Sequence, residues 1–185
     1  MRNFPAANQL GITLIELIFT LAIVAVLASL SAPALGNLIQ RGHSRSAHDM
    51  LVGSLNLARM SSVSTHRETI VCPSSGHASC ADGIWWQRGW IVFEDANQNN
   101  RRDEDEPLLQ VVDAQPGIAI ATSSGRKFVR YRPDGSASGT DLTYTICDRR
   151  GASEATAVVV SNPGRVRDAR PDPARAAAAC AGLGR

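Results

Sequence analysis

The sequence predicts an α+β fold in which one long N-terminal helix, its first half transmembrane, packs on a mostly antiparallel β-sheet domain. Three observations carry this expectation. Residues 12–35 are apolar throughout, with a single Glu and no Lys, Arg or Asp. Residues 36–65 change to an amphipathic pattern with apolar side chains three and four apart. From residue 66 onward, short β-rich stretches alternate with turns built on Gly, Pro, Asp and Ser. A helix followed by many short strands points to an α+β domain. A chain of 185 residues accommodates one such domain plus an anchor.

Residues 1–11, MRNFPAANQLG, form a short polar leader ending in Gly11. The apolar run follows this glycine and does not precede a small-residue cleavage site, so the segment differs from a secretory signal peptide. Its 24 residues are enough to cross a bilayer core of ~30 Å as a helix. Glu16 lies inside the run, where a carboxylate is costly and therefore suggests function. One reading places Glu16 at the interface, snorkelling to water. The other gives it a cation: cleavage after Gly11 would leave an amine on Ile12, and Glu16 would pair with that amine on a neighbouring subunit.

Gly11-Ile12-Thr13-Leu14-Ile15-Glu16-Leu17, followed by the apolar stretch and Pro33, resembles the class III signal of type IV pilins and type II secretion pseudopilins. The resemblance implies cleavage after Gly11 by the prepilin peptidase and N-methylation of Ile12. It also implies a type IV pilin-like fold and an inner-membrane precursor, single-pass, with its C-terminal domain in the periplasm. The chain departs from the usual pattern in having Ile12 where most members have Phe, and Leu10 where a basic residue is common.

Beyond the span, Leu35, Leu38, Ile39, Met50, Leu51, Leu55 and Ala58 recur at helical spacing. One helix over 12–64 is expected, roughly 80 Å long at ~1.5 Å per residue, with a kink near Pro33 and Gly36. Two helices joined near Gly42 are the alternative. Strands are expected at 69–72, 84–94, 108–112, 118–121, 128–132, 142–147 and 155–161, within a globular domain over 66–170. Residues 171–185 read as an irregular tail. Cys72, Cys80, Cys147 and Cys180 all lie beyond the apolar run, and an even count there suits an oxidising compartment and two disulfides. Three pairings are possible; Cys72–Cys80 with Cys147–Cys180 is favoured. Zinc on Cys72, His77 and Cys80 is a weaker option, because the spacing is wrong and no second ligand pair is near.

Gly89-Trp90-Ile91-Val92-Phe93-Glu94-Asp95 leads into an acidic, Asn-rich loop. Arg132-Pro133-Asp134-Gly135, Ile146-Cys147-Asp148-Arg149-Arg150-Gly151 and Val158-Val159-Val160-Ser161 through Gly164-Arg165-Val166-Arg167 follow in that order. Together with the N-terminal signal they resemble the FimT/GspH family of minor pilins and pseudopilins over nearly the whole chain.

Two segments are candidates for binding. The loop from Asp95 to Glu106 has oxygen-bearing side chains at the first, third, fifth, ninth and twelfth positions of a calcium-type loop. Asn100 stands where such loops want Gly, and Arg101 and Arg102 lie inside, so a solvated turn competes with calcium and no metal is assigned. The second candidate is Gly164-Arg165-Val166-Arg167 with Arg170. The formal charge is +2 overall, but residues 126–185 hold 11 basic against 6 acidic residues. In an extended segment Arg165 and Arg167 share a side, where two guanidinium groups suit phosphates. Lys127, Arg130, Arg132, Arg149 and Arg150 are expected to extend the basic face. The family resemblance implies the same, since FimT-like members used in natural transformation carry a Gly-Arg-x-Arg element that binds DNA. A solvated tail is the plain alternative, because no aromatic platform accompanies the arginines.

No arrangement of Ser, Cys, His or carboxylates resembles an enzyme centre, and no cofactor is implied. The expected partners are other pilins or pseudopilins in a filament, the prepilin peptidase, the inner membrane and double-stranded DNA. Two functions remain open: a minor pilin of a type IV pilus that also binds DNA in natural transformation, or the H pseudopilin of type II secretion with no nucleic-acid role.

Overall fold

The computed structural model describes residues 11–123, 125–139 and 141–184, and the side chains of all of these but 32–34. Leader positions 1–10 lie outside the described residues.

Helix α1 runs from Leu14 to Thr65, a single helix with no break at Gly42. Two compact units divide near residue 40. In the first, the large apolar side chains described between Ile12 and Leu30 and between Leu35 and Ile39 are exposed. This part of α1 is long and apolar enough to cross a membrane.

The second unit, residues 40–185, holds the remainder of α1 and two four-stranded antiparallel sheets. The first sheet has the order β3-β2-β1-β5, from Leu108–Val112, Trp90–Asp95, Glu68–Pro73 and Val129–Tyr131. The second has the order β4-β6-β7-β8, from Ile118–Thr122, Leu142–Asp148, Thr156–Val160 and Val166–Ala169. Ala47, Leu51, Leu55 and Ala58 fall on one helical stripe and are fully buried in a core shared with both sheets. Val71, Val92 and Val129 enter that core from the first sheet, and Ile120, Tyr144, Ile146 and Val158 from the second. Trp86 meets Tyr144 edge-to-face at 4.9 Å between ring centroids. Trp90 donates its indole N–H to the Ser54 hydroxyl of α1 at 2.9 Å. Trp86 and Trp90 thus pack inside the protein, while Trp85 is half-buried.

Three elements differ from the sequence expectation. The 84–94 stretch is a strand only from Trp90. Before it, Gly83 and Gly89 have positive φ, and a Cβ on Gly89 would overlap the Val112 carbonyl oxygen. These glycines turn the chain so that Trp86 enters the core, its backbone N–H donating to Ile120 O at 2.9 Å. Secondly, Val166–Ala169 is a strand, β8, at the open edge of the second sheet. Thirdly, the tail is not irregular throughout: Pro173–Cys180 is a helix, α2. Asp172 caps it by accepting from the N–H groups of Ala174 and Arg175, Pro173 fits its first turn, and alanines fill it.

Disulfides join Cys72 to Cys80 and Cys147 to Cys180. The first closes a short loop beside Ile70, Ile91 and Phe93 on the outer face of the first sheet. The second fastens α2 to β6, where Ala179 and Cys147 pack with Trp85 and Leu183.

Candidate functional site

The β7–β8 hairpin carries the candidate arginines. Its turn is closed by Gly164 N–H donating to Ser161 O at 2.7 Å and Ser161 N–H donating to Arg165 O at 2.9 Å. Gly164 is required twice: its φ is +80°, and a Cβ there would overlap the Gly135 carbonyl oxygen. The Arg132-Pro133-Asp134-Gly135 turn therefore lies directly against the hairpin. Ala137 N–H donates to Asn162 O at 2.9 Å and ties the two turns together. Ser136 donates its hydroxyl and its backbone N–H to Asp134 and holds that carboxyl below its ordinary range. From α1, Arg59 reaches both turns, donating to Gly135 O at 3.0 Å and to Pro163 O at 3.4 Å.

Register fixes where the arginines point. Val166 pairs with Val160 and Asp168 with Val158, and both valines of β7 belong to the core. Arg167 pairs with Val159 and so projects from the opposite, outer face. Arg165, two residues earlier, shares that side. Both are exposed, and neither side chain has a hydrogen-bond or ion-pair partner among the described residues. Arg170, just past the end of β8, is exposed as well. Asp168, on the other side of β8, stays exposed and meets α1: His48 stands between it, at 2.8 Å, and Asp49, at 3.0 Å.

The wider basic face is mostly consumed. Lys127 pairs with Asp82 at 3.0 Å, and Arg130 lies 3.6 Å from Glu68. Arg150 is largely buried, 2.7 Å from Asp148 and 3.1 Å from Glu154. Burial alone would raise the Asp148 carboxyl, but the Arg150 side chain and backbone N–H, with Ser44, outweigh it and hold the carboxyl below its ordinary value. Arg149 and Arg132 remain exposed, and Arg132 sits in the turn beside the hairpin. Sequence reasoning missed Arg59, Asp148 and Asp168, whose roles depend on contacts between distant segments.

The Asp95–Glu106 loop closes on itself. Asp95 accepts from the N–H groups of Asn99 and Asn100, and Glu106 from those of Ala96 and Asp103. Asn100 takes a positive φ of 61°, standing in for glycine. Among the described residues no group of three or more His, Cys, Asp or Glu is placed to hold a metal ion. Cys72 and Cys80 are bonded to each other, which removes the zinc option.

On α1, Glu16 accepts no side-chain hydrogen bond among the described residues, while its backbone N–H donates to the Thr13 hydroxyl at 3.3 Å. Gly11 and Ile12 precede the helix and are exposed.

Comparison with known proteins agrees with this architecture. The family model "Type II transport protein GspH" matches residues 47–164, more than half of the chain. The "Prokaryotic N-terminal methylation motif" matches residues 6–32. Among solved structures, the type IV minor pilin FimU of Pseudomonas aeruginosa is similar with a TM-score of 0.58 at 17% identity, covering 77% of this chain and 98% of that one. The minor pseudopilin EpsH from the type II secretion system of Vibrio cholerae is similar with a TM-score of 0.51 at 11% identity, covering 70% and 98%. No curated protein matches the sequence. The fold is pilin-like, and the relatives are structural pilins and pseudopilins, not enzymes. The chain belongs to the GspH family.

Proposed function

We propose that this protein is a minor pilin of a type IV pilus that helps assemble the filament and captures double-stranded DNA for uptake in natural transformation. The observation that carries the DNA reading is the unpartnered pair Arg165, in the hairpin turn, and Arg167, on the outer face of edge strand β8. Along an extended strand they stand about 6.7 Å apart, a spacing suited to successive phosphates. Binding through two such contacts is independent of sequence and weakens about tenfold between ~50 and ~200 mM salt. Arg170 lends further positive charge beside them, and Gly164 sets the hairpin's shape.

In this reading residues 12–35 hold the precursor in the inner membrane with the globular domain in the periplasm. The prepilin peptidase cuts after Gly11, Ile12 is N-methylated, and Glu16 pairs with the Ile12 amine of a neighbouring subunit. The methylation motif and the bare carboxylate of Glu16 support this.

Electrophoretic retardation of duplex DNA by the detergent-solubilised chain tests the site. Arg165→Gln with Arg167→Gln is expected to abolish retardation at low salt; unchanged retardation rejects the site. The second reading, a pseudopilin of type II secretion with no nucleic-acid role, is favoured by the family match itself. Deletion of the gene separates the two: loss of transformation and twitching supports the pilus, and loss of exoprotein secretion supports the pseudopilus.

A further inference from the structure

The outer face of the second sheet carries a further cation, supplied by α2. Ala179 of α2 packs against Ala121 of β4 and Cys147 of β6, two side chains that point outward from that sheet. Arg175, one turn earlier on the helix, lines a hollow with Ala121, Thr122 and Thr145. It therefore stands over the same face as Arg167. Arg175 is exposed, and its side chain has no hydrogen-bond or ion-pair partner among the described residues. Asp172, three residues before it, is occupied as the cap of α2, accepting from the N–H groups of Ala174 and Arg175.

Strand register shows what lies between the two cations. Arg167 pairs with Val159, and Val159 with Thr143. At the next outward level Ala169, Ala157, Thr145 and Ala121 follow one another from β8 to β4. These side chains are small and uncharged. The two carboxylates of the four strands, Asp148 and Asp168, pair with Ile118 and Val158 of the core and so belong to the inner face. No outward position of the sheet holds an acid. Strands lie ~4.8 Å apart, so Arg175, above β6 and β4, is roughly 10–14 Å from Arg167 across the sheet.

A single strand of nucleic acid offers one phosphate backbone, which the hairpin alone can engage. A duplex offers two, held apart by grooves ~6 and ~12 Å wide, a separation of the same order as that between Arg167 and Arg175. Guanidinium groups suit phosphate oxygens on either side, and a face without carboxylates lets both backbones approach. We propose that Arg175 contacts the phosphates of one strand of a DNA duplex while Arg165 and Arg167 contact those of the other, so that this face selects double-stranded over single-stranded DNA. The inference rests on reading Arg165 and Arg167 as a DNA site.

Fluorescence anisotropy of the detergent-solubilised chain is read with a labelled duplex and with one of its strands alone, each across a salt series. The wild-type chain is expected to prefer the duplex. Arg175→Gln is expected to weaken duplex binding by roughly threefold to tenfold and to leave single-strand binding unchanged. It is also expected to reduce the salt slope for the duplex by about one. Arg101→Gln, which removes the same charge from the exposed loop after β2, is expected to change neither form. Arg165→Gln with Arg167→Gln is expected to abolish binding of both. The proposal is overturned if Arg175→Gln leaves duplex binding unchanged, if it weakens the single strand as much as the duplex, or if Arg101→Gln costs as much. Those results leave the hairpin reading standing. Undiminished binding in the Arg165 and Arg167 double variant sinks the hairpin reading and this inference with it.

Discussion

At the scale of single residues, the candidate hairpin depends on groups other than its two outward arginines. Gly164 admits no side chain, since a Cβ would meet the Gly135 carbonyl at a positive φ. Gly164→Ala is therefore expected to destabilise the domain by roughly 1–3 kcal/mol, measured by urea denaturation, and to weaken DNA retardation although both arginines remain. Arg59→Ala removes the hydrogen bonds to Gly135 and Pro163 and is expected to cost about 2 kcal/mol in the same assay. Arg59 was not legible in the sequence, where it read as one polar residue on an amphipathic helix. Its two acceptors lie 76 and 104 residues further on, and nothing local marks them. The shared side of Arg165 and Arg167 was legible, because alternation along an extended segment is a local property of the sequence.

At the scale of elements, two fastenings hold the second sheet together. Asp148 ends β6 and receives Arg150, with both largely buried. Because the folded carboxyl lies below its ordinary value of 3.8, its contribution is complete above that pH and is lost as pH falls through the lower folded value. Asp148→Ala is expected to cost about 3 kcal/mol near neutral pH, and the gap from wild type should shrink only below pH 3.8. Unfolding curves across the acid range check this. The Cys147–Cys180 bridge closes a separation of 33 residues and Cys72–Cys80 one of 8. Loop entropy then assigns about 4 kcal/mol to the first and about 2.5 kcal/mol to the second, so Cys180→Ser should lower stability more than Cys80→Ser. Long periodic elements such as α1 could be read directly from the sequence. Helix α2 could not, because its alanine run looks like low complexity until Asp172 and Pro173 are recognised as a cap. Strand β8 was hidden by its charges, which suit an exposed edge as well as a solvated tail.

At the scale of the whole molecule, the chain divides its chemistry between an apolar helix with one carboxylate and a domain with a localised cationic end. Glu16→Leu is expected to leave membrane insertion intact, since it removes an unfavourable charge, and to abolish incorporation into filaments. Carbonate extraction scores the first and subunit content of sheared filaments the second. The legible part of this division was the N-terminal signal, where a costly residue in an apolar run allows few readings. The loop at Asp95 was the opposite case: its carboxylates spaced like calcium ligands are spent on its own backbone N–H groups. Finally, the lock formed by Gly135, Gly164 and Arg59 is made of two carbonyls, a guanidinium and a glycine, and involves neither side chain at positions 165 and 167. The mount and what it displays are therefore separable, and the same chassis can carry basic, neutral or acidic tips with no change in how it folds, which makes this hairpin an interchangeable fitting.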